Sequence, residues 1–257
     1  MSYSHLNYLK RIKKEKILVL IFQILIFITI IILWEVLSKT NKINTFLTSS
    51  PSLILKTIIN LYKSNNLFNH IGITLYETLI SFMLSTLIGI VIATILWWNK
   101  FIFKVIDPYL TILNSLPKVA LGPILIIWIG ANIKSIIVMA LLISSIISII
   151  TIYNGFNNID ENKIKLMKSF NASKWQIYKM LIFRSNIPTI ISSLKINISM
   201  CLIGVIMGEL LVSKEGIGYL IMYGSQVFNL NLVMSGIFIL CIFAYILYFI
   251  ISHLEKT

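Results

Sequence analysis

Negative charge is scarce in this chain: nine Asp and Glu stand against 22 Lys and Arg in 257 residues, a formal net charge of +13. No carboxylates are paired on one helix face and no HExxH-like cluster occurs, so the convergent acid, base or metal ligands of a membrane-embedded enzyme are missing. Cysteine is nearly absent. Cys201 and Cys241 lie in apolar runs without CxxC spacing, which points to buried packing rather than a disulfide or a metal site. His5, His70 and His253 are scattered and offer no ligand cluster. There is no GxxxxGK[ST] segment, and no soluble domain is left to hold ATP, so ATP-derived energy has to come from another subunit. No internal repeat is visible, which argues against a secondary transporter built from inverted halves.

What the chain has in excess is apolar residues. Hydrophobic residues make up 58% and charged ones 12%, with a mean hydropathy of +0.91, the signature of a polytopic membrane protein and an all-α helical bundle. The Lys and Arg residues sit mainly between and beside apolar spans rather than as a stripe on a soluble domain, which argues against nucleic acid as a partner.

A helix needs about 20 apolar residues to cross the hydrocarbon core. About six stretches qualify, near Ile17–Leu37, Leu75–Trp98, Phe103–Gly130, Ile133–Tyr153, Ile187–Val212 and Leu232–Ile251. In the third, Pro117 and Pro123 break or kink an ordinary helix and Lys118 adds a charge, so a short surface helix followed by a true span is expected. Residues 1–16 form a basic N-terminus ahead of a transmembrane domain over 17–257. Its Lys10, Arg11, Lys13, Lys14 and Lys16 place the N-terminus in the cytoplasm by the positive-inside rule, and six crossings return the C-terminus to the same side. The first span is too long for a signal peptide and reads as an uncleaved anchor. Between the first two spans, Thr48-Ser49-Ser50-Pro51-Ser52 reads as the start of a short amphipathic surface helix.

The polar, basic loop at about 154–186 is the most informative segment. Asp160 can cap a first short helix to about Phe170, with Ile164, Met167 and Phe170 on one face. Asn171 stands where that helix stops, a position that favours a left-handed conformation. Ser173 and Gln176 form the S-x-x-Q pattern of a capping box opening a second helix from about Lys174 to Phe183, with Trp175, Tyr178 and Leu181 or Ile182 along one side. Two readings follow. The loop packs its apolar stripe onto the bundle or the headgroups, with Lys residues meeting anionic lipid, or it docks a soluble partner.

The stretch Ile159 to Gln176 resembles the cytoplasmic coupling loop of bacterial ABC importer permeases, in the group that serves nitrate, aliphatic sulfonates and taurine. That family's loop reads E-A-A, three residues, G, nine residues, I-x-L-P. Lys165-Leu166-Met167 stand at the E-A-A positions, Asn171 at the Gly, Leu181 at the Ile, Phe183 at the Leu and Arg184 at the Pro. Ala172-Ser173-Lys174-Trp175-Gln176 resembles the group's A-S-R-W-Q run, and Leu116 to Pro123 with Trp128 and Gly130 its P-K-x-A-L-x-P segment. Gly208-Glu209 with Gly216 to Ile221 resembles its G-L-G-Y-L-I ending, and Ser50-Pro51-Ser52 its P-S-P-S entry. Lys165 replaces an acidic residue, which reverses the sign of any contact with the partner. Asn171 for Gly costs about 1 kcal/mol in a left-handed turn, and Arg184 for Pro removes a helix stop, so the second helix can run on toward the membrane.

The resemblance implies a type I (MetI-like) permease fold in the bacterial cell membrane and a homodimer of this chain. It also implies separate ATP-binding subunits at the loops, holding the ATP and Mg that this chain does not bind, and an external or lipid-anchored binding protein. The implied coupling residues are Lys165, Leu166, Met167, Asn171, Ala172, Ser173, Lys174, Trp175, Gln176, Tyr178 and Leu181. A small anion such as a sulfonate, nitrate or taurine, or a pyrimidine precursor of thiamine, is the implied solute. Among ionisable residues in the spans, Glu35, Glu77 and Asp107 are near an interface and expected to reach water or headgroups. Glu209 lies deeper and is expected at a polar pathway or an inter-subunit contact. Lys118 is expected to snorkel, or to pair with Asp107. Gly216 and Gly218 suit a tight turn, with Tyr219 beside the pathway. Together with Pro117, Lys118 and Pro123, Glu209 and these three residues are the pathway or gate candidates.

Overall fold

The computed structural model describes residues 3–64 and 66–254. The first two residues of the basic N-terminus and the end of the permease domain after Leu254 lie outside the described residues. All regular structure among the described residues is helical. The order begins with α1 (Tyr3–Lys39), α2 (Thr45–Thr48), α3 (Pro51–Lys63) and α4 (Asn66–Trp98). It continues with α5 (Lys100–Ser115), a 3-10 turn at Lys118–Leu121, α6 (Gly122–Ile129) and α7 (Ile133–Asn157). Next come α8 (Glu161–Ser169), α9 (Lys174–Ile177), a π-helical turn at Tyr178–Ile182 and α10 (Phe183–Ser185). The chain closes with α11 (Ile187–Val212), α12 (Ile217–Gln226) and α13 (Leu230–Leu254).

Helices α1, α4, α7, α11 and α13 are each long and apolar enough to cross a membrane. The third expected span is different. Helix α5 and the segment Lys118–Ile129 meet at 88°. Pro117 lies in the break and Pro123 in the first turn of α6, which has only eight residues, about 12 Å of helix. It is too short to be the true span expected after a surface helix, and only the bent pair taken together supplies the length. Helix α4 begins at Asn66 rather than Leu75. Its first turns carry His70 and Thr74, polar residues that tertiary partners satisfy and that hydropathy alone does not count as span.

Helices α4, α7 and α11 form the packed centre. Small residues let them approach, as lipid-embedded helices require in place of a hydrophobic drive. A Cβ on Gly204 of α11 would lie 3.0 Å from the Ala140 Cβ of α7, and one on Gly208 would lie 2.9 Å from Ile136 Cγ2. Helix α3 starts as the sequence suggested, with Ser50 accepting from the Leu53 N–H and Pro51 in the first turn. It lies on α13, burying Ile54, whose carbonyl accepts from Ser235 Oγ at 3.3 Å. Helix α1 is nearly bare along its apolar length. It is tied to α3 by Glu35, which accepts from the Ser52 N–H and pairs with Lys39 at 3.0 Å. Cys201 is buried, while Cys241 faces outward from α13 and does not share the buried packing expected of both.

Candidate functional site

The loop between α7 and α11 is built by local signals. Asp160 accepts from the Asn162 N–H at 2.9 Å and starts α8. The helix ends in paired backbone bonds, Asn171 N–H to Lys168 and Ala172 N–H to Met167, with Asn171 left-handed at φ 57. This is the Schellman arrangement, with Ala172 and Met167 packed on one apolar cluster as its usual hydrophobic contact. Ser173 and Gln176 then bond reciprocally: the Ser173 N–H reaches Gln176 Oε1 at 2.7 Å and the Gln176 N–H reaches Ser173 Oγ at 3.3 Å. The second helix runs past the expected end at Phe183 to Ser185, as the absence of a proline at 184 permits, with a π-turn inside it.

The expected apolar stripe divides. Tyr178 and Ile182 are buried, so Tyr178 is not open to a partner. Its hydroxyl meets Thr94 Oγ1 at 2.7 Å, and Thr94 bonds the Ile90 carbonyl at 2.7 Å. The Thr94 proton is used there, so Tyr178 donates to Thr94. The Tyr178 ring also lies 5.5 Å from Trp97 and 6.0 Å from Phe156, which fastens the loop to the ends of α4 and α7. Trp175 stays exposed, with Leu166, Phe170 and Met180. The structure places Phe170 outward, away from the half-buried Ile164 and Met167, because α8 stops one residue before it. Met180 was not singled out in the sequence, and Phe170 was read there as part of the packed face, because an exposed and a packed apolar residue look alike. Lys165, Asn171, Ser173, Lys174 and Gln176 are exposed, and Ala172 and Leu181 are half-buried. The Lys174 ammonium donates to the Trp98 carbonyl and lies 5.2 Å from the Trp98 ring centroid.

At the opposite end of the core, α4 presents His70, Thr74, Glu77, Thr78, Ser81 and Ser85 as a buried polar stripe at helical spacing. Two of them, His70 and Thr74, organise the start of α12 together with Glu209. The Gly216 N–H donates to His70 Nδ1 at 2.9 Å, so the neutral ring carries its proton on Nε2. The Ile217 N–H donates to Thr74 Oγ1 at 2.9 Å, and the Gly218 N–H to Glu209 Oε2 at 2.5 Å. Thr74 itself donates to Glu209 Oε1 at 2.6 Å. A helix N-terminus has unpaired N–H groups and favours a carboxylate. Here side chains of α4 and α11 supply the caps that Gly216 cannot.

Glu209 is therefore placed inside the chain with its oxygens bonded rather than on an open pathway surface. Gly216 has φ 107, and a Cβ there would overlap the Glu209 carboxyl. Gly218 lies within α12 and is there for close approach, its Cβ position being 2.7 Å from Glu209 Cβ. Tyr219 stacks on His70 at 5.9 Å and Tyr223 at 5.8 Å. Glu77, expected to reach water, is fully buried beside Glu209, and its carboxyl has no hydrogen-bond partner other than the Glu209 carboxyl. Asp107 is exposed. Lys118 donates to the Asn114 carbonyl at 3.3 Å, back across the bend onto the end of α5, rather than to Asp107. Asn197 of α11 joins the stripe further along, donating to Ser85 at 2.9 Å and Thr86 at 2.8 Å. Among the described residues no group of three or more His, Cys, Asp or Glu is arranged to hold a metal.

The chain is 27% identical over 232 residues to the formylaminopyrimidine transport permease protein ThiX of Halalkalibacterium halodurans, covering 90% of this chain and 92% of that one. It is 26% identical over 213 residues to SsuC of Bacillus subtilis, named as an aliphatic sulfonates transport permease, covering 83% and 77%. Its fold matches a solved structure of the MetNI methionine ABC transporter in an inward-facing conformation, with a TM-score of 0.65 at 16% identity over 73% of this chain and 93% of that one. Residues 85–256 match the family described as "Binding-protein-dependent transport system inner membrane component". The chain belongs to that family and is a multi-pass ABC importer permease, a membrane transport component rather than an enzyme.

Proposed function

We propose that two copies of this chain form the translocation pathway and that each engages an ATP-binding subunit through the 159–184 loop. The observation that carries this reading is the construction of the loop. Two short helices are closed by side-chain caps and a left-handed Asn171, anchored by Tyr178 to α4 and α7, and leave Leu166, Phe170 and Trp175 bare. A loop built this way moves with α4, α7 and α11 as a body instead of bending, which is the requirement for transmitting a subunit's motion into the membrane. ATP and Mg are held by the partner. Closure of the two ATPases draws the two loops together and opens the pathway outward, and hydrolysis lets it open inward. A second copy fits against the far end of α6, where Ile127 and Trp128 are 81% and 77% exposed.

The N- and C-termini lie on the loop side, in the cytoplasm. An external binding protein delivers a small sulfonate-, nitrate- or taurine-like solute. A pyrimidine precursor is the second reading, favoured by the likeness to ThiX over nine-tenths of the chain. The test is a mild-detergent pull-down of tagged protein from its native cell with mass spectrometry of all retained chains. An ATP-binding subunit and a binding protein are expected, and the latter provides the reagent for ligand identification. Reproducible recovery of this chain alone rejects the docking assignment.

A further inference from the structure

A groove of about 870 Å³ lies between the end of α4 and the face of α8 turned toward it. Its mouth carries Lys100, Lys165, Lys168 and Lys174, against the single carboxylate of Glu161. Glu161, Lys165 and Lys168 share one face of α8 by their spacing, and Ile164 on the same face packs into the aromatic cluster below. The wall opposite is Trp97 and Trp98. Lys174 is already oriented there, its ammonium bonded to the Trp98 carbonyl over the Trp98 ring. Leu166 and Phe170, the exposed apolar residues of α8 and its end, do not line the groove, whereas Lys165, Ala172 and Lys174 of the implied coupling set do.

The geometry points to this groove as a binding site for the phosphodiester of an anionic phospholipid. Three features select that ligand. Ammonium groups ring an opening above an apolar and aromatic floor, so a phosphate at the rim and glycerol and acyl carbons beneath are both matched. The groove sits where the apolar span α4 ends in paired tryptophans, the residue type that marks the membrane boundary. Basic pockets at such a boundary bind acidic headgroups. Lipid held here bridges α4 and the loop and adds to the Tyr178 anchor, so its presence bears on how firmly the loop follows the bundle. The assignment needs neither the ATPase nor the proposed orientation.

The experiment is a tryptophan-fluorescence titration of the full chain, delipidated in a neutral detergent, with dioctanoyl phosphatidylglycerol, dioctanoyl phosphatidylcholine and inorganic phosphate. A saturable change with phosphatidylglycerol alone is expected. Lys100→Gln with Lys168→Gln should weaken it about thirtyfold, from two lost ammonium groups near a surface phosphate, while Lys168→Arg should stay within about twofold of the unaltered chain. Equal responses to the two lipids, or unchanged affinity in the double variant, overturn the proposal. Saturation by inorganic phosphate at the same concentration overturns the lipid assignment. Loss of binding in Lys168→Arg with helix content intact shows that charge is not the determinant and also counts against it.

Discussion

Glu209 and Glu77 are both buried carboxyls at one end of the core, yet they differ in what surrounds them. Glu209 accepts from Thr74 and from the Gly218 N–H and so closes the N-terminus of α12. Glu77 lies beside it with no partner but the Glu209 carboxyl. Glu209→Ala strands a buried hydroxyl and a backbone N–H, each costing about 1–3 kcal/mol. Glu77→Gln removes one of two adjoining carboxyls and adds a donor that can reach the other. The two changes should therefore move thermal stability in opposite directions, Glu209→Ala downward and Glu77→Gln upward, in circular-dichroism melts of the detergent-solubilised chain. A lower melting temperature for Glu77→Gln would show that this carboxyl is held by something other than repulsion from its neighbour. The cluster was not legible in the sequence. His70 and Gly216 are 146 residues apart and Thr74 and Glu209 are 135 apart, and no local rule relates residues at such distances. Glu77, Glu209, Gly216 and Gly218 stood out in the sequence one by one, and nothing there joined them to one another or to His70 and Thr74.

At the scale of elements, the loop shows which signals do survive in one dimension. Caps and left-handed turns involve residues two to five apart, so Asp160, Asn171 and the Ser173–Gln176 box could be read from residue types alone. Asn171→Gly should preserve transport. Asn171→Val should impair it, because a β-branched residue is a steric outlier in the left-handed region. Uptake assays in cells expressing each variant decide this, and equal transport by both removes the turn from the mechanism. Burial along the second helix could not be read in the same way. Trp175 and Tyr178 are both large aromatics three residues apart, and one is exposed while the other is fixed between α4 and α7. Trp175→Ala should accordingly reduce co-purification of the ATPase about tenfold or more, as loss of an exposed aromatic anchor does, with little change in melting temperature. Tyr178→Ala should lower the melting temperature first, since a buried aromatic truncated to alanine costs about 3–5 kcal/mol. If Trp175→Ala leaves co-purification unchanged, the exposed tryptophan is not a docking residue.

For the molecule as a whole, hydropathy located five spans directly and the sixth stretch as a segment bent by 88°, where two short helices share a length that one helix normally covers. Orientation is a different kind of question, because it depends on where charges sit relative to a bilayer and not on how helices pack. The loop carrying Lys163, Lys165, Lys168, Lys174, Lys179 and Arg184 is expected on the cytoplasmic side by the positive-inside rule. Lys39, Lys42, Lys56 and Lys63 fall on the other side and weaken the contrast. Single cysteines settle it. In a Cys201→Ser, Cys241→Ser background, Lys42→Cys, in the turn after α1, should react with a membrane-impermeant maleimide in intact cells. Asn162→Cys, exposed at the start of α8, should react only after permeabilisation. The reverse pattern would put the loop outside, where no ATP-binding subunit could reach Trp175, and the proposed coupling would fail with it.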